Sequence, residues 1–149
     1  MVACGFVDAD GVPGHFRLVL AGPTLTVNIG FDPDYNSGSG TPNLAAVGVP
    51  ALIDTGATIS FIDDDLAKAL DLPIVDKKTF GGIGGAHEAN MYLAQIHIPD
   101  LTHTLYGEFG GVKLAAGGQQ HRALLGRMFL RRFDLRYNGG TGEVEIIKV

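Results

Sequence analysis

Residues 15–20 (HFRLVL) and 25–29 (LTVNI) alternate apolar and polar positions and are rich in Val, Ile, Leu and Thr. That period of two predicts a pair of strands. Residues 47–54 (VGVPALID) form an apolar run that ends on an acid, and this reads as a buried strand entering a loop. The segment 63–70 (DDDLAKAL) changes period. Leu66, Ala67 and Leu70 recur at helical spacing, three acids sit where the positive end of a helix dipole favours them, and Pro73 ends the helix. Downstream, 79–86 is the turn of a hairpin whose return arm is 90–98 (NMYLAQIHI), and 101–114 supplies one or two further strands. Residues 123–133 (ALLGRMFLRRF) read as a second short helix entered through Gly126. Residues 134–149 read as a hairpin turning at Asn138-Gly139-Gly140. The turn-rich stretch 31–41 (FDPDYNSGSGT) interrupts the pattern as a surface loop, too short to be an interdomain linker. The expected fold is all-β with one or two short helices, in a single domain over 1–149, with no solenoid or propeller repeat.

Composition sharpens this picture. A chain of 149 residues, 46% hydrophobic and 18% charged, can bury a sizeable core. Its 22 glycines are about twice ordinary usage and fall in pairs between apolar runs, as tight turns between short strands require. A net charge of −5 with no basic face argues against a nucleic-acid partner. The single cysteine, Cys4, has no partner for an internal disulfide, so a reducing, cytoplasmic compartment is expected. The opening residues lack the basic and apolar regions of a signal peptide, and no stretch approaches the ~18 to 20 apolar residues of a membrane span.

The candidate chemistry lies in 51–58 (ALIDTGAT), where an apolar strand delivers Asp54 into a turn that also holds a hydroxyl and a glycine. Alone, Asp-Thr-Gly is equally a strand-ending turn. Two further features stand with it. In 78–86 (KTFGGIGGA) four glycines surround Ile83 at a hairpin tip, giving a backbone free to adopt unusual angles and to move. A phosphate loop is excluded there because no Lys-Ser/Thr follows and His87 holds the place of a third dinucleotide-motif glycine. Far downstream, Leu124-Leu125-Gly126-Arg127 forms a two-apolar-plus-glycine step.

In order and spacing, Asp54-Thr55-Gly56-Ala57, the tip Gly81-Gly82-Ile83-Gly84-Gly85 and Leu124-Leu125-Gly126-Arg127 resemble the retroviral-type aspartic proteases. The likeness runs over about 23–147, with 31–48 as an insertion. It implies a closed-barrel-like β fold in which two identical subunits meet at their catalytic loops. On that resemblance Asp54 is catalytic, Thr55 bonds across the dimer axis, and Gly56 lets the substrate backbone approach. Ala57, Gly82, Ile83 and Gly84 contact the substrate, while Leu124, Leu125, Gly126 and Arg127 support the loop from behind. One departure is visible: viral members carry an acid two residues after the glycine, opposite the arginine, and here that position is Thr58. Asp63, Asp64 or Asp134 could replace it as the partner of Arg127. The departure points to a non-viral member.

The count of acids bears on assembly. Aspartic proteolysis uses two carboxylates sharing one proton, one activating water and the other protonating the substrate. The chain has one Asp-Thr-Gly, and the acids 63–65 are expected to face solvent from a helix start, so a homodimer follows. The expected function is an aspartic endopeptidase acting on extended peptide or protein substrates, with no cofactor and no metal. Its rivals are a non-catalytic, protease-like dimer that binds peptides or scaffolds an assembly, and a monomeric small-ligand barrel. The histidines His15, His87, His97, His103 and His121 show no metal-ligand spacing, and His97 reads as a strand-face residue. Cys4 lacks a catalytic partner. Arg127, Arg131 and Arg132 read as a solvated helix face.

Overall fold

The computed structural model describes residues 1–36 and 40–149. Positions 37–39, within the segment expected to form a surface loop, lie outside the described residues. Along the chain, strand β1 (Val2–Ala3) is followed by helix α1 (Gly14–Ala21), then β2 (Thr24–Gly30), β3 (Ala46–Ile53) and β4 (Phe61–Asp63). Helix α2 (Asp64–Ala69) leads to β5 (Ile74–Gly82), β6 (Gly85–Ile98) and β7 (His103–Val112). The chain ends with β8 (Ala123–Leu125), helix α3 (Arg127–Leu130), β9 (Phe133–Tyr137) and β10 (Val144–Lys148).

The larger sheet closes on itself. Its order is β2-β3-β8-β4-β7-β6, and β6 also pairs with β2, which completes a barrel and removes free edges from the ring. Strand β6 is long enough to do two jobs. Its inner half pairs with β7 and β2, as in Ile96↔Leu105 and Ile29↔Ile96, while its outer half pairs with β5 to build a projecting hairpin. Leu25, Val27 and Ile29 of β2 point inward with the predicted period of two and are at most 2% exposed. They join Ile53, Ile62, Ala94, Ile96, Ala123 and Leu125 in one core. A second, three-stranded sheet, β1-β10-β9, contributes Phe133, Val144 and Ile146 to the same core. No helix among the described residues is long and apolar enough to cross a membrane.

Two elements differ from the sequence reading. Residues 15–20 are helical within α1, not a strand. The buried positions are Gly14 and Leu18, one turn apart, so helical spacing decides the packing even though the letters alternate. The Asp8 carboxylate accepts the Gly14 N–H at 2.7 Å and satisfies the opening turn. A Cβ on Gly14 would lie 2.7 Å from the Phe6 carbonyl oxygen, so the helix starts flush against the chain beneath it. The second difference is at 123–133. Only Arg127–Leu130 is helical, and Ala123–Leu125 is a strand inserted between β3 and β4. Three apolar residues carry no readable period, and the gap between two core strands sets their conformation.

Candidate active site

Asp54 follows β3 directly, and the loop it opens is fastened to the opposite chain segment along its length. Strands β3 and β8 run parallel, with Ile53 opposite Leu125. The Asp54 N–H continues that ladder to the Leu125 carbonyl at 2.9 Å. Within the loop, Gly56 N–H donates to Asp54 Oδ1 at 2.9 Å and Ala57 N–H to the Asp54 carbonyl at 3.2 Å, which orients the half-buried carboxylate. From the other side, Arg127 N–H donates to the Ala57 carbonyl at 2.8 Å and Met128 N–H to the Thr58 carbonyl at 3.1 Å. Buried Ser60 accepts the Gly126 N–H through its hydroxyl at 3.0 Å.

Gly126 makes this closeness possible. A Cβ there would sit 2.2 Å from the Ile59 carbonyl oxygen and 2.8 Å from that of Ala57. Every neighbour is backbone, so nothing can swing aside. Arg127 is not part of a purely solvated face: its guanidinium reaches back, donating to the Thr55 carbonyl at 2.8 Å and to Thr58 Oγ1 at 3.1 Å. None of Asp63, Asp64 and Asp134 pairs with it among the described residues. The hydroxyl of Thr58, at the position where an acid was expected, accepts the bond itself.

Asp54 faces a cleft of about 830 Å³ whose other walls come from β4, β7 and the β5–β6 hairpin. Gly56, Ala57 and Leu124 line it beside Asp54, and Phe80 and Gly81 line it from the hairpin. The rings of Phe61 on β4 and Phe80 on β5 meet edge to face, centroids 5.2 Å apart, joining the hairpin to the barrel wall. Gly110 leaves the room for Phe61, since a Cβ there would lie 2.6 Å from its ring. The tip residues Gly82, Ile83 and Gly84 do not line the cleft within one chain. Ile83 is fully exposed, and Gly84 turns with φ 95°, a conformation glycine adopts without cost. Thr55 is likewise exposed.

The acids 63–65 correct the sequence reading, because two of them are turned inward. Asp63 is 1% exposed. It caps α2 by accepting the Leu66 N–H at 3.2 Å, and it takes the N–H groups of Leu114 and Ala115 at 3.0 and 3.1 Å. Asp64 lines the cleft, accepting the Tyr92 hydroxyl at 2.6 Å and pairing with Lys68 at 2.9 Å. Burial alone would raise its pKa, but the bonds from Tyr92 and Lys68 outweigh it and hold the carboxyl below the usual range. The sequence reading also missed Phe61, Phe80 and Ser60 as site residues. The two phenylalanines lie on separate strands, and Ser60 meets Gly126 across 66 positions, so no local pattern marks them. The histidine on the strand face is as expected: His97 is buried on β6 with Nδ1 2.8 Å from Thr104 Oγ1.

Among solved structures, the chain is similar to the EIAV protease complexed with the inhibitor HBY-793, at 20% identity and a TM-score of 0.49, covering 73% of this chain and 85% of that one. No curated protein matches. The family model described as "gag-polyprotein putative aspartyl protease" matches residues 43–132, which hold the Asp54 loop, the hairpin and the Gly126 step. With about three fifths of its length matched, the chain belongs to the retroviral-type, gag-polyprotein aspartyl protease family.

Proposed function

We propose that the chain is an aspartic endopeptidase that works as a homodimer, each subunit giving Asp54 to a shared dyad. The observation that carries this reading is the setting of Asp54. A carboxylate oriented by the Gly56 N–H stands in a cleft roofed by a glycine-rich hairpin, on a loop whose outer residues Thr55 and Gly56 are exposed. Two other acids line the cleft within one chain, Asp64 and Glu88, and neither is suited to share its proton: Glu88 is exposed on the hairpin and pairs with Lys77 at 3.8 Å. Asp64 is already bonded by Tyr92 and Lys68, which keep it ionised. A second copy supplies the missing carboxylate through a two-fold contact of the loops, with Thr55 bonding across the axis. One carboxylate then takes a proton from water as it attacks the peptide carbonyl, while the other gives its proton to the carbonyl oxygen; on collapse the first passes the proton it took to the leaving amine, and a hydroxyl of the diol returns its proton to the second.

The substrate is a peptide in extended form, seated between the Asp54 loop and the hairpin and covered by Gly82, Ile83 and Gly84. Ala57, Ile59, Phe61, Phe80, Val112 and Leu124 give the cleft an apolar lining, which favours apolar side chains around the cleaved bond. Each subunit is one domain, and the lone buried thiol of Cys4 suits a reducing, cytoplasmic setting. Asp54→Asn, nearly isosteric, tests the assignment: peptide cleavage should fall by about 10³-fold or more with the fold intact. A rate within about tenfold of the parent, roughly 1.4 kcal/mol in barrier, would sink it.

A further inference from the structure

Helix α1 is apolar on both sides. Inward, it buries Gly14 and Leu18. Outward, Phe16, Val19 and Leu20 are 50, 73 and 72% exposed. Their i, i+3, i+4 spacing places them in one stripe. A surface helix of a self-sufficient subunit turns polar residues outward, yet α1 has just two polar side chains, His15 and Arg17. Arg17 is folded down, its guanidinium 5.1 Å from the Phe6 ring centroid and bonded to the Val7 carbonyl. The stripe therefore amounts to roughly 300–400 Å² of bare apolar surface, the size of the largest patch on a typical monomer, which is often functional.

Its place in the fold indicates which partner. Gly22, which closes α1, abuts the Leu52 side chain, and a Cβ there would lie 2.6 Å from Leu52 Cδ1. The next residue, Pro23, accepts the Ile53 N–H at 2.9 Å. The end of α1 is thus anchored on the last residues of β3. Three residues of chain, at most ~10 Å, separate Leu52 from Thr55. A stable interface buries about 800 Å² on each partner. The exposed part of the Asp54 loop consists of threonine, glycine and alanine, which supply little of that. We propose that Phe16, Val19 and Leu20 pack against a second copy of this chain, extending the two-fold contact that joins the Asp54 loops and serving as its apolar anchor.

The proposal rests on the dimer reading, and the experiment separates the two. Sedimentation equilibrium of the full chain is measured for the parent, for Leu20→Glu and for Val19→Trp. Leu20→Glu should raise the dimer dissociation constant roughly thirtyfold or more, with an unchanged circular dichroism spectrum, because the altered side chain is exposed in the single subunit. The chain contains no tryptophan, so Val19→Trp adds a sole indole. Its emission should shift to the blue as concentration rises through the dissociation constant. If the parent dimerises but Leu20→Glu does so with equal affinity, or the indole emission ignores dimer formation, the stripe lies outside the interface and this proposal fails alone. A parent that cleaves peptides while monomeric at every concentration overturns both readings. Should Leu20→Glu fail to fold, the indole emission decides.

Discussion

Gly126→Ala is the smallest change that strains the whole support of the Asp54 loop. The added methyl would meet the Ile59 carbonyl oxygen at 2.2 Å, its carbon at 2.7 Å and the Ala57 oxygen at 2.8 Å, so the 57–59 backbone has to retreat from β8. Overpacking of this kind costs about 1–3 kcal/mol. The retreat also stretches the bonds from Gly126 N–H to Ser60, from Arg127 N–H to Ala57 and from Met128 N–H to Thr58. Losing one of them adds about 1 kcal/mol. The total, about 2–4 kcal/mol, should lower Tm by roughly 5–15 °C for a chain of this size. Because those bonds set the position of the loop, kcat should fall by about a hundredfold even well below Tm. Thermal unfolding and peptide cleavage are measured beside Gly139→Ala, whose new methyl meets nothing closer than 3.6 Å. If the two variants match in Tm and turnover, Gly126 is not the constraint claimed here.

Other outcomes follow from buried polar groups. Asp63→Asn replaces an acceptor of three N–H bonds with a group that must present a donor, and should cost about 2–4 kcal/mol in denaturant unfolding; an unchanged midpoint would show that the carboxylate is not needed. Burial holds the pKa of His97, His103 and His121 below the ordinary histidine value, with Arg132 and Lys148 adding to the effect at His103 and Arg122 at His121. Above about pH 6.5 both states are neutral and nothing changes; below it the unfolded chain takes up protons that the folded chain resists. Stability should therefore decline as pH falls from about 6.5, and a urea midpoint that rises between pH 7 and 5.5 would contradict the assignment. Burial, and secondarily Glu145, push the Cys4 thiol up to about 11. A thiol-exchange reagent at pH 8 should react with it at the rate of global unfolding, and fast reaction of the folded chain would disprove its burial.

What the sequence disclosed about the fold is concentrated where the local pattern and the final environment agree. Strand β2 shows its alternation because one face is core and the other is not, and the Asp63 start of α2 carries its own cap. The 15–20 segment misleads because its helical packing uses only Gly14 and Leu18, leaving three apolar residues outside and no readable amphipathic face. β8 is too short for any period, and its conformation comes from β3 and β4 on either side. At the site, Asp54, the hairpin glycines and the Gly126 step are legible because each places special demands on the backbone. Ser60, Phe61 and Phe80 are ordinary letters whose roles arise from contacts across the barrel. Asp63 and Asp64 look like a solvated helix start, and their inward turn depends on Leu114, Ala115 and Tyr92, distant in the chain.

The central claim is that the catalytic site is shared between two copies of Asp54. It is tested most directly by mixing parent protein with Asp54→Asn protein under conditions that let subunits exchange, then measuring peptide cleavage per parent chain. Random pairing places parent subunits in dimers that hold a single carboxylate. Activity per parent chain should then fall to about half at an equal mixture and to roughly one tenth at ninefold excess of the variant, tracking the share of parent chains that lie in parent–parent dimers. Activity that stays constant at every excess of variant, with exchange verified by mass, would mean that one chain carries the complete site.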